Sequence, residues 1–89
     1  MNELEIARKK IDEIDDLLIE LFKKRMREVE HVLAYKKANQ LKVLDSTRER
    51  ELKQSKLLKF DDAKLKPYYE MFLDHMMFIS KKYQEDHYE

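Results

Sequence analysis

Cysteine is absent from the 89 residues, which excludes disulfides and thiolate metal sites and permits a reducing compartment. Glycine is absent too, where about 7% is average. Phosphate-cradling loops and most β-turns use glycine for positive φ, so a glycine-rich nucleotide loop is excluded and a sheet protein is disfavoured. Proline occurs once, at Pro67. Apolar runs are short, none near the roughly 18 residues of a membrane span, and the start lacks the basic-then-apolar pattern of a secretion signal. The expected setting is therefore cytoplasmic, away from membranes. Nineteen basic residues balance nineteen acidic ones, so net charge gives no reason to expect a nucleic-acid partner.

What is present favours long helices. Ala, Glu, Lys, Leu and Arg together supply 46 of 89 residues, and these are the strong helix formers. Asn2 and Glu5 stand at the spacing of an N-cap and its capping-box partner. Leu4, Ala7, Ile11, Ile14, Leu18 and Leu21 then recur at helical spacing, and the stripe runs on through Arg25, Val29, Val32 and Lys36. Nothing interrupts residues 3 to 38, so a helix there would span roughly 54 Å. A compact chain of this length has a radius of gyration near 12 Å, on the order of a quarter of that span. The long helix must overhang whatever its own chain folds against it, and a second copy is the simplest cover.

The pattern lapses from Asn39 to Leu44. Asp45 or Ser46 then reads as the cap of a second helix, with Glu49 reaching back, and that helix carries Leu52, Leu57 and Leu58 before fading near Phe60. After a polar connection from Asp61 to Leu65, Pro67 suits the first turn of a third helix. Tyr69, Phe72, Met76, Ile79 and Tyr83 form one stripe of it, and Leu73, Met77, Ser80 and Gln84 the adjacent one. The expected fold is all-α, with a long, a short and a medium helix in one domain, 1–89.

Polar residues on apolar stripes are the candidates for chemistry. Arg25 and Lys36 share a face and lie about 16 Å apart along the helix axis. They can clasp a small anion over Val29 and Val32, or form an interhelical salt bridge to a carboxylate such as Glu49. Arg8, roughly 25 Å from Arg25 along the axis, can serve the same kind of ligand only in a partner's site. Asp45, Arg48 and Glu49 cluster where a helix start offers free N–H groups, although ordinary capping also accounts for the two acids. Ser80 and Gln84 extend an apolar stripe, whereas such residues in isolation are ordinarily exposed. His31, His75 and His87 lack metal-ligand spacing, and the sequence has no nucleophile elbow. Lys81, in the pair Lys81-Lys82, reads as part of a solvated face.

In combination these positions resemble the all-α (AroQ-type) chorismate mutases. Arg8-Lys9-Lys10-Ile11-Asp12-Glu13-Ile14-Asp15 is similar to the family's R-x-x-I-x-x-x-D opening, and residues 17–25 to its L-L-x-L-L-x-x-R run. Lys36 follows at the family's distance, and residues 43–50 resemble V-x-D-x-x-R-E-x. Ser80 and Gln84 fit the closing helix. The connection carrying Pro67 differs in length from some relatives, and the first interhelical segment has no glycine.

The resemblance implies an intertwined homodimer with two sites. Arg25, Lys36, Asp45, Arg48, Glu49, Ser80 and Gln84 would line each, and Arg8 would come from the other chain. The implied reaction is chorismate to prephenate, a unimolecular [3,3] rearrangement in aromatic amino acid biosynthesis that needs no cofactor. Arg8 and Arg25 would hold the two carboxylates, Lys36 and Gln84 would donate to the ether oxygen, and Glu49 with the Asp45 backbone would hold the ring hydroxyl. Two other readings stay open: an isochorismate pyruvate-lyase on the same scaffold, and a non-catalytic helical dimerisation or regulatory module.

Overall fold

The computed structural model describes residues 1–89 as three helices and no strands: α1 Glu3–Ala38, α2 Ser46–Lys59 and α3 Lys66–Asp86. α1 runs for 36 residues because no helix breaker stops it and both ends suit its dipole. The Asn2 side chain accepts from the Glu5 N–H at 2.9 Å, Glu3 and Glu5 sit in the first turn, and Lys36 and Lys37 sit in the last.

The end of α1 shows how the chain manages without glycine. Gln40 takes a positive φ of 54°, the left-handed conformation that glycine usually supplies. Its N–H donates to the Lys37 carbonyl, and the Leu41 N–H donates to the Lys36 carbonyl at 2.8 Å. These two bonds are the pair that closes a Schellman motif. The carbonyl of Lys36, a candidate site residue, is thereby fixed by the turn.

α2 is capped by Asp45, whose carboxylate accepts from the Arg48 N–H at 2.9 Å. That choice corrects the expected role of Glu49. A cap at Asp45 puts Arg48 at the third helical position, so Glu49 falls one residue beyond the capping box and its side chain turns to Lys81 instead. Leu58, counted with the apolar residues of α2, is 87% exposed, while Leu52 and Leu57 are half-buried. Pro67 does lie in the first turn of α3. The entry is tied by Asp62, whose carboxylate accepts from the Leu65 N–H and whose carbonyl accepts from the Lys66 N–H.

α3 packs against both other helices, whereas the backbones of α1 and α2 do not approach each other closely. Lys53 of α2 ties to Glu70 and Asp74 of α3 at 3.0 and 3.1 Å, and Phe60 stacks on Tyr69 with ring centroids 4.5 Å apart. Of the two α3 stripes, the one with Leu73, Ser80 and Gln84 is buried, whereas Phe72 and Ile79 of the other stay 50% and 40% exposed.

The core is small. Val29, Leu33 and Leu73 are its only buried apolar residues, and residues 1–24 of the chain are exposed throughout. The molecule measures 56 × 26 × 16 Å with a radius of gyration of 16.5 Å, well above the roughly 12 Å of a compact chain of this length. Its accessible surface of 7618 Å² likewise exceeds, by about 2,000 Å², what a compact monomer of this mass exposes. No helix is long and apolar enough to cross a membrane.

Candidate active site

A cleft of about 270 Å³ opens between the second half of α1, the start of α2 and the last turns of α3. It gathers Arg25, Lys36, Asp45, Arg48, Glu49, Ser80 and Gln84, that is, every candidate except Arg8. Arg8 is exposed on the free half of α1, and the axial rise alone puts it roughly 25 Å from Arg25. Val29, Val32, Leu52 and Met77 supply the apolar walls, and the valines lie between Arg25 and Lys36 along α1.

Two hydrogen-bond chains hold the site together. In the first, Nη1 of Arg25 donates to Ser80 Oγ and, at 3.3 Å, to the Met76 carbonyl, while Ser80 Oγ donates to that same carbonyl at 2.9 Å. Both Nη1 protons are used in these bonds, which leaves the Nε and Nη2 donors for a ligand. In the second, Lys36 Nζ donates to the Val43 carbonyl at 2.7 Å and to Gln84 Oε1 at 2.9 Å. Gln84 Nε2 donates in turn to the Ser80 carbonyl at 3.2 Å. An ammonium has three protons and an amide nitrogen two, so Lys36 and Gln84 each keep one donor, and those donors stand on adjacent groups.

The Val43 carbonyl was not legible as a site group, since a backbone oxygen carries no sequence signal. It is available because the Schellman turn delivers residues 41–45 beside the end of α1. Ser80 and Gln84 are 9% and 7% exposed, buried against their ordinary tendency because Arg25 and Lys36 need their oxygens.

The electrostatics distinguish the two readings of Arg25 and Lys36. Neither forms a salt bridge, nor does Arg48, and the expected pairing with Glu49 does not occur; Glu49 faces Lys81 at 3.9 Å instead. Arg25 is held below the ordinary arginine range, first by burial and then by the positive charge of Arg48. Desolvation and a like charge both disfavour the cation. The half-buried Arg25 and Lys36 and the exposed Arg48 thus line one cleft without a salt bridge to any carboxylate.

The class defined by fold and site is thus an all-helical protein with a cleft lined by three cations that form no salt bridge. The chain matches the chorismate mutase type II family over residues 7–85, nearly its whole length, and belongs to that family. Searches of curated proteins and of solved structures found no match.

Proposed function

We propose that the protein is a chorismate mutase that converts chorismate to prephenate in an intertwined homodimer. The observation that carries this reading is the cluster of Arg25, Lys36 and Arg48 around one cleft without a protein counter-ion, with Gln84 locked beside Lys36. A dianionic substrate supplies the missing charge. Guanidinium groups match carboxylates in bidentate geometry, and Arg25 is already aimed by Ser80 and Met76.

The rearrangement breaks the ether C–O bond and forms a C–C bond within one molecule, with no net proton transfer. Catalysis then requires two things. Holding both carboxylates folds the enolpyruvyl arm over the ring and confines the substrate to its reactive conformer. Donors at the ether oxygen stabilise the negative charge that builds there as the bond lengthens. Lys36 and Gln84 are these donors. The bond from Lys36 to Gln84 Oε1 fixes the amide so that its nitrogen, and not its oxygen, is free for substrate. Glu49 and the Asp45 backbone take the ring hydroxyl. Ser80 contributes by orienting Arg25.

The dimer accounts for the surface that one chain leaves bare. Leu18, Leu21 and Phe22 of α1 face Phe72, Met76 and Ile79 of α3 across an apolar groove of about 360 Å³. Covering the free half of α1 with a second copy buries an area of the size seen in obligate dimers. The same pairing brings the partner's Arg8 to the cleft as the second carboxylate clamp. The test is turnover by the purified protein: chorismate absorbance falls and prephenate accumulates, whereas isochorismate is turned over poorly. Release of pyruvate from isochorismate at the higher rate would replace this reading with a lyase.

A further inference from the structure

Lys81 lies on the cleft-lining face of α3, one turn from both Met77 and Gln84. Its Nζ stands 3.9 Å from Glu49 Oε1, and the two side chains are 35% and 36% exposed. That separation is an ion pair without a hydrogen bond. Neither side chain has another polar partner, so the pair is slack and each group retains its full hydrogen-bonding capacity.

Of the carboxylates that line the cleft, Asp45 is spent on the Arg48 N–H and Glu28 faces His31 at 3.0 Å, whereas Glu49 has no hydrogen-bond partner. It shares the cleft with Arg25, Lys36 and Arg48, which have no counter-ion. A glutamate without a hydrogen-bond partner beside three unpaired cations is drawn to them, and an internal salt bridge there would occupy the donors that a dianion requires. In the structure it does not form. Lys81 draws the carboxylate toward α3.

We propose that Lys81 is a positioning residue that acts through Glu49: it holds the carboxylate away from Arg25 and Lys36 and so keeps the anion site open. The inference rests on the chorismate mutase reading and adds to it a residue that controls substrate affinity. Lys81 touches no reacting atom, so its loss weakens binding and leaves the bound complex nearly as reactive as before. In a variant without Lys81, substrate once seated displaces Glu49 from the cations and returns it to the ring hydroxyl.

The test is a double-mutant cycle read in KM and kcat with chorismate. Lys81→Ala raises KM about fivefold, the factor corresponding to the roughly 1 kcal/mol of an exposed ion pair, with kcat within twofold of the unmodified protein. Lys81→Arg, which keeps the charge, restores KM. In the Glu49→Gln background, where no carboxylate competes, Lys81→Ala leaves KM unchanged. A fivefold rise that persists in that background overturns the proposal, because Lys81 would then contact substrate directly. An active protein whose KM ignores Lys81→Ala overturns it as well. A protein inert toward chorismate overturns the parent reading and this inference with it, an outcome that the unmodified protein alone reveals.

Discussion

Mixing two inactive variants tests whether the site is shared between chains. Arg8 stands on the free half of α1, roughly 25 Å along the axis from Arg25, whereas the whole cleft encloses about 270 Å³. A metabolite that fills such a cleft is about 10 Å across, too short to touch both residues of one chain. Arg8→Ala and Arg25→Ala should each be nearly inactive, since each removes one carboxylate clamp. Unfolded together in equal amounts and refolded, they pair at random, and about half of the dimers are mixed. By isologous symmetry each mixed dimer has one site with both arginines and one with neither. Half the dimers with half their sites intact give about a quarter of the unmutated activity. Steady-state turnover of the refolded mixture is the assay, with native mass spectrometry to count heterodimers. If the heterodimers form and activity stays at the level of the single variants, the shared site is refuted.

Other predictions follow from single features. Gln40→Gly should stabilise the fold by about 1 kcal/mol, since a non-glycine residue at positive φ costs about that much; the denaturant midpoint checks it, and an unchanged or lower midpoint counts against the turn described at the end of α1. The melting temperature of the unmodified protein should rise with concentration, since the proposed dimer couples folding to assembly; a concentration-independent value would separate the two. Gln84→Glu should make turnover favour acid. Ionised beside Lys36, the carboxylate only accepts hydrogen bonds; protonated, it donates. Only the protonated form can donate to the ether oxygen, so kcat should be higher at pH 5 than at pH 8, and undiminished kcat at pH 8 would remove Gln84 as the donor.

Local signals carried the helices. Asn2, Asp45 and Pro67 mark their starts by capping and proline chemistry, which depends on neighbours a few residues away. Position 40 was opaque, because nothing in a glutamine announces a left-handed turn. For the site, polar residues interrupting apolar stripes pointed to Arg25, Lys36, Ser80 and Gln84, since burial of such groups requires partners. Which group partners which was not legible. Lys36 with Val43 and Gln84, and Glu49 with Lys81 instead of Lys36, are decided by the crossing of three helices. The free half of α1 was foreseeable from length alone, because a 36-residue helix outreaches an 89-residue globule.

The most direct test of the central claim is the turnover of chorismate by Lys36→Ala beside the unmodified protein. Lys36 holds Gln84 in register and, in the proposed mechanism, donates to the ether oxygen, so its loss should lower kcat by about 10²- to 10³-fold, the effect of removing one preorganised donor. Circular dichroism and sedimentation should show the helices and the dimer retained. A variant equally folded that turns chorismate over within a fewfold of the unmodified rate would contradict the assignment of this cleft as the catalytic site.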